Sequence, residues 1–126
     1  MIFKWFSNRG EREAKQLNHD APLIIEQAYE TLPRPHIHKV AMTTMEHIRQ
    51  AYKDYGAKHI DLKRALQDFR GRHRDARRRG DQMALTAMTL VVIYLRAELA
   101  GPAADPARAA IDDFIISSES LPHTED

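Results

Sequence analysis

Lys63 to Arg79 reads KRALQDFRGRHRDARRR and combines helix-spaced apolar residues with a dense run of cations. Eight of these residues are Lys or Arg, and two are acidic. Asp61 can cap a helix at its start and Gly80 can end it. We therefore predict an amphipathic helix over 62–79. Its core face, about 100° wide at helical spacing, comprises Leu62, Ala65, Leu66, Phe69, His73 (as a hydrogen-bonded core histidine) and Ala76.

The cations of this helix concentrate beside its core face and form a candidate surface for an anionic partner. Nucleic-acid-binding proteins commonly neutralise phosphates with Lys and Arg on a helix. The preceding helix, the connection that holds Gly56 and the basic helix resemble a helix-turn-helix in outline, although the connection is longer than the usual three or four residues. The arginines, however, lie at the C-terminal end of the helix, no aromatic residue interleaves with them, and cations there also stabilise the helix dipole. The candidate residues are Lys63, Arg70, Arg74, Arg77 and Arg78.

The next segment, 82–100, is apolar around most of its circumference, with a narrow polar strip of Gln82, Thr86, Thr89 and Arg96. A helix of this kind belongs in the centre of a bundle. Its apolar run, Met83 to Leu95, is shorter than the 18 or so residues that cross a bilayer, so we expect no transmembrane segment. We predict that this is the most buried helix, with Leu85, Met88, Val92 and Leu95 in the core.

Three further helices complete the predicted fold. Proline and glycine punctuation together with apolar spacing predicts helices over 21–32 and 36–55, and Asp105-Pro106 predicts the start of another. The whole pattern predicts an all-α fold, a four- to five-helix bundle with mostly short antiparallel connections. Residues 20–118 should form this single domain, between a flexible polar arm over 1–19 and a frayed acidic tail over 119–126.

The extreme N-terminus carries Phe3, Trp5 and Phe6 beside basic residues. Aromatic and basic residues together are typical of an interfacial membrane anchor, although this segment is short for one. The same side chains can instead pack on the bundle or on a second subunit. Both alternatives remain open at the level of sequence.

Few residues indicate catalysis or cofactor binding. The chain has no cysteine, which excludes disulfides and thiolate metal sites. His36, His47 and Asp54 follow one edge of the predicted 36–55 helix, but they are too widely spaced to hold one ion without ligands from other helices. Glycine-rich phosphate loops and nucleophile-elbow motifs are absent from the sequence. We expect no catalytic residues, no metal and no cofactor.

Charge divides the chain into two poles. Residues 1–80 carry 17 Lys and Arg against 10 Asp and Glu, whereas residues 81–126 carry 2 against 8. This asymmetry and the apolar 82–100 helix favour a cytoplasmic, non-catalytic protein-interaction domain that associates with itself as a homodimer. The alternative is a small nucleic-acid-binding regulator that uses the basic helix 62–79. The complementary poles would be Arg77, Arg78 and Arg79 against Asp112, Asp113 and Glu119.

Overall fold

The computed structural model describes the backbone of residues 2–56 and 59–119, and the side chains of 10–56 and 61–118. The described residues form five α-helices and a short 3-10 turn, without any β-strand, which confirms the predicted all-α bundle. The helices are α1 (Ile2–Thr31), α2 (Arg34–Tyr55), α3 (His59–Arg79), α4 (Gln82–Ala100) and α5 (Asp105–Glu119), with the turn at Pro102–Ala104 before α5.

The connection between α3 and α4 is as tight as the sequence predicts. Gly80 adopts a left-handed conformation, with φ of 69°, which reverses the chain directly after α3. Asp81 then caps α4, because its Oδ1 accepts a hydrogen bond from the backbone N–H of Ala84 at 3.1 Å. Together these two residues fold α3 back against α4 as an antiparallel hairpin.

The other four helices surround α4 as an incomplete ring. Helix α4 contacts all of them, and neighbouring members of the ring touch in the order α3, α2, α5, α1. Helices α1 and α3 make no backbone contact with each other within the described residues, so the ring is open between them. The core lies around α4, where Leu90, Val91 and Leu95 are fully buried.

Helix α4 is long and apolar enough to cross a bilayer by length and composition alone, and no other described helix is. The run Met83–Leu95 is too short by itself, but the helix continues to Ala100 and so gains the necessary length. The core helix of a soluble protein meets the same criterion. In this structure α4 lies inside the open ring that the other four helices form.

Helix α1 begins far earlier than predicted. The sequence places the start of this helix at about residue 21, whereas α1 runs from Ile2 and includes Pro22 in its interior. Ala14 and Leu17 are buried, and Asn18 ties α1 to the start of α5. The Asn18 side chain donates to the carbonyl of Ala103 at 2.9 Å and accepts from the N–H of Ala107 at 2.9 Å.

The predicted termini fall largely outside the described residues. The side chains of Phe3, Trp5 and Phe6 lie outside the described range, and so does the predicted tail beyond Glu119. For these segments the sequence-based expectations stay predictions.

The predicted core of α4 is half right. Met88 and Leu95 are buried, whereas Leu85 and Val92 are only partly buried. These two lie with Thr89 and Arg96 on a strip that repeats every three or four residues and faces the opening of the ring. The predicted polar strip shares Thr89 and Arg96 with it, but Thr86 is buried, so the exposed strip is rotated towards Leu85 and Val92.

Candidate interaction surfaces

A groove of about 310 Å³ occupies the opening between α1 and α3. Its floor is the partly exposed side of α4, and its two banks are the facing edges of α1 and α3. Ile24, Val92 and Ile93 make it apolar at the bottom, while charged side chains line the sides. The groove is lined by Asp20 and Ile24 of α1, Arg70 and His73 of α3, and Thr89, Val92, Ile93 and Arg96 of α4.

The two banks of this groove carry opposite charge. On α1, Glu13 and Asp20 form an acidic bank. Glu13 Oε1 lies 2.8 Å from Arg96 Nη2, and Asp20 Oδ1 accepts from the side chain of Gln16 at 2.9 Å. On α3, Arg70 and His73 form a basic bank. Asp20 therefore lines the acidic side of the groove and Arg70 the basic side. The mainly apolar floor also carries Thr89 and Arg96, whose charge is paired with Glu13.

His73 differs from the core histidine that the sequence predicts. It is only partly buried and lines the groove, and none of the hydrogen bonds in the described residues involves it. Partial burial, with a smaller contribution from the nearby Arg77 cation, lowers the pKa of His73 below its ordinary value. His73 is therefore neutral at neutral pH, and Arg70 carries the charge of the basic bank.

The five predicted cations of the anionic-partner surface lie together along one exposed edge of α3, which we call the basic edge. At helical spacing they fall within an arc of about 100°. None of them has an ion-pair or hydrogen-bond partner among the described side chains. The basic edge comprises Lys63, Arg70, Arg74, Arg77 and Arg78.

The acids of α3 lie on its other edge, towards α2. There Asp68 pairs with Arg72 at 3.1 Å, and the Arg72 guanidinium also lies 4.7 Å from the centre of the Phe69 ring. Asp75 lies with Arg72 in a second pocket between α2 and α3. Because the acids sit on that side, the basic edge contains cations and neutral residues only.

The acidic residues of α5 do not neutralise the basic edge. Helices α3 and α5 make no contact in the described residues, and α4 lies between them. Asp112 instead lies 3.5 Å from the hydroxyl of Tyr94, which donates to its Oδ2. Ile116, on the outer face of α5, is 63% exposed. The side chain of Glu119, the third predicted acid of this pole, lies outside the described range.

Sequence reasoning missed a polar cluster that joins α2, α4 and α5. Tyr52 donates to Glu98 Oε1 at 2.9 Å, Arg108 Nη1 donates to the same oxygen at 2.6 Å, and Arg108 also pairs with Asp105. Burial and the hydrogen bond to Glu98 raise the pKa of Tyr52. Tyr52 and Glu98 are 46 positions apart, so no local pattern could have revealed the cluster.

The predicted histidine edge of α2 does not assemble a metal site. His47 Nδ1 donates to the carbonyl of Thr43 at 2.8 Å, and its ring packs edge-on against Phe69 at 5.6 Å. Asp54 accepts from Gln50 at 2.6 Å. Within the described side chains, no group of three or more His, Asp or Glu could hold a metal ion.

Comparison of this chain with protein-family models, curated proteins and solved structures gives no match.

Proposed function

We propose that this protein is a non-catalytic helical interaction domain that associates with itself through the groove between α1 and α3. The observation that carries this proposal is the opening in the ring around α4. A helix that is apolar on nearly every side is enclosed by four neighbours, yet the strip that contains Val92 is left partly exposed. Burial of such a strip is favourable, and exposed apolar surface commonly marks an interface.

The occupant that best fits the groove is a second copy of this chain. In a two-fold symmetric dimer every contact forms twice. If one residue of the first protomer contacts a different residue of the second, the same two residue types also meet with the protomers exchanged. A two-fold axis parallel to the groove places the basic bank of each protomer on the acidic bank of the other. Arg70 then meets the partner's Asp20, and the same contact forms twice.

Other two-fold arrangements are less favourable. An axis across the groove sets like charges against each other, because each bank then meets its own copy. The distant poles on α3 and α5 lie on opposite sides of α4, so a single isologous interface cannot easily contain both. The groove therefore supports self-association better than the pairing of poles that the sequence suggested.

Apolar burial and charge have separate roles in this dimer. The floor of the groove supplies most of the affinity through burial, while the charged banks set the orientation and speed the encounter. A cysteine-free chain is compatible with the reducing cytoplasm, and we propose that compartment for it.

A substitution in the groove floor tests this proposal. Val92→Asp would place a charge in the interface, whereas Ile116→Asp makes the same kind of change at an exposed site on α5. We expect the wild type and Ile116→Asp to have twice the chain mass of 14.5 kDa by light scattering, and Val92→Asp to have the single mass with unchanged helical circular dichroism. Equal masses for all three folded proteins would refute the groove as the interface.

A further inference from the structure

The basic edge of α3 carries more charge than self-association through the groove requires. Arg70 faces the groove, but the sequence spacing places Arg74 and Arg78 further round the helix, away from it. A dimer formed through the groove would therefore leave these cations in water. The four cations of the basic edge that do not line the groove therefore need an explanation beyond the dimer; they are Lys63, Arg74, Arg77 and Arg78.

We propose that the basic edge binds the phosphate backbone of duplex nucleic acid without reading its sequence. This site uses the four cations that the groove dimer leaves in water, while Arg70 remains assigned to the groove. Phosphate binding by clustered Lys and Arg is driven by release of the counterions condensed on the nucleic acid. Three of these four cations are arginines, whose planar guanidinium groups can donate two parallel hydrogen bonds to one phosphate.

The geometry of the edge fits an extended polyanion. Lys63, Arg74 and Arg77 lie along the helix over about 21 Å, at 1.5 Å per residue. That length corresponds to about six base pairs of duplex, at 3.4 Å per step. A row of this kind can contact successive phosphates along one strand, whereas a single small anion would occupy only part of it.

The surroundings of the edge favour nucleic acid over an acidic protein or a membrane. Protein interfaces are anchored by large apolar or aromatic side chains, and membrane-surface helices also insert apolar residues. The exposed large hydrophobic residues of the described chain are Leu23, Tyr29 and Ile116, and all three lie on α1 or α5. Helix α3 presents charge without such an anchor.

Duplex is favoured over single strands by the absence of stacking groups. Single-strand binding proteins stack bases on exposed aromatic side chains. The only aromatic side chain of α3 other than His73 among the described residues is Phe69, which is 2% exposed and packs against His47 and Arg72. Bases would find no platform on the edge, but the phosphates of a duplex remain accessible to it.

Salt dependence gives the first test. With four phosphate contacts, the slope of log affinity against log salt is about −3.6, so affinity for a fluorescein-labelled 20-base-pair duplex should fall about 150-fold between about 50 mM and about 200 mM NaCl. Fluorescence anisotropy titrations over this range of salt measure the affinity at each concentration and so give the slope. No binding at the lower salt, or tighter binding of a single strand of the same length, would overturn the proposal.

A matched pair of variants gives the second test. Arg74→Gln/Arg78→Gln removes two cations of the edge, and Arg49→Gln/Lys53→Gln removes two exposed cations of α2 for the same change in net charge. We expect Arg74→Gln/Arg78→Gln to make the slope of log affinity against log salt shallower by about 2 and to lower the affinity at low salt more than tenfold. Arg49→Gln/Lys53→Gln should leave the slope and the affinity nearly unchanged. Circular dichroism confirms that both are folded.

Three outcomes would overturn the proposal, two from this comparison and one from a competition experiment. Equal losses in the two variants would show that net charge alone attracts the duplex. Unchanged binding by Arg74→Gln/Arg78→Gln would place the site elsewhere. Displacement of the duplex by polyglutamate at equal charge concentration would identify the edge as a site for acidic protein. Because Arg74 and Arg78 do not line the groove, the mass of the variant reports separately on self-association.

Discussion

Val91 and Val92 are adjacent on α4, yet one is completely buried and the other is partly exposed on the floor of the groove. A step of one residue rotates the side chain by about 100°, which is enough to move it from the core to the opening between α1 and α3. The pair therefore separates the two roles of α4: one side holds the monomer together, and the other is available to a partner.

Aspartate at each of these positions should have a different effect. Val91→Asp buries an unpaired charge and should lower the free energy of unfolding by about 3–5 kcal/mol. Val92→Asp can keep its carboxylate in water in the monomer and should cost far less. Urea denaturation followed by circular dichroism, at protein concentrations low enough to populate the monomer, measures both costs. Similar large costs at the two positions would show that Val92 belongs to the core.

Exchange of the charges on the banks should identify a contact between molecules. Asp20→Arg and Arg70→Glu each place like charges opposite one another in their own homodimers, and each should weaken self-association about 5- to 30-fold, equivalent to about 1–2 kcal/mol. In a mixture, the arginine introduced in one variant would meet the glutamate introduced in the other, and the second contact would remain native. Equilibrium sedimentation should therefore show association restored on mixing. Failure of the mixture to associate would exclude the proposed orientation of the two-fold axis.

Much of the fold follows from local signals in the sequence. Helix α4 begins and ends at the predicted residues, and α2, α3 and α5 are close to prediction, because proline, glycine and the Asp81 cap mark most of their ends. Asp61 was predicted to cap α3 but lies within its first turn. The first half of α1 was missed because its buried side chains are few and small. Its order depends on Ala14, on Leu17 and on the bonds of Asn18 to the region around α5, which are 85 and 89 positions away.

The basic edge and the groove also differ in how well the sequence predicts them. The basic edge was predictable because all of its residues belong to one helix, where spacing determines which side chains are neighbours. The groove depends on a gap between α1 and α3, which is a property of the tertiary arrangement. Asp20 illustrates the difference, since it directly precedes the predicted 21–32 helix but lies within α1 on the acidic bank.

Replacement of Gly71 and of Gly80 by alanine should change the stability of the protein in opposite directions. Gly71 lies in the helix interior, where an added Cβ would approach Arg74 Nη2 no closer than 3.8 Å. Gly71→Ala should therefore stabilise the protein by about 1 kcal/mol through helix propensity. Gly80 has a φ of 69°, so Gly80→Ala should destabilise by about 1–2 kcal/mol. Melting temperatures of both variants test this, and a destabilising Gly71→Ala would reveal a close contact that the structure lacks.

The buried tyrosine cluster should make stability sensitive to alkaline pH. The pKa of Tyr52 is raised in the folded state by burial and by Glu98, whereas in the unfolded chain it returns to about 10. The folded state then binds more protons above pH 10, so the stabilisation is present below about pH 10 and is lost as the pH rises above it. Tyr52→Phe should cost about 1 kcal/mol at neutral pH and flatten this alkaline loss. Tyr94, whose pKa is also raised, should account for part of the remaining slope.

For Tyr52, the measurement is the unfolding free energy of the wild type and of Tyr52→Phe between about pH 9 and about pH 11. The two curves should converge as the pH rises. Parallel curves over this range would contradict the role assigned to the Tyr52–Glu98 hydrogen bond.

The mass of the wild-type protein in solution tests self-association most directly. Sedimentation equilibrium at micromolar concentration should give twice the 14.5 kDa chain mass at low salt. The dimer should persist at about 0.5 M salt, because screening weakens the charged banks but leaves burial of the apolar floor intact. A single chain mass at both salt concentrations would contradict self-association through the groove.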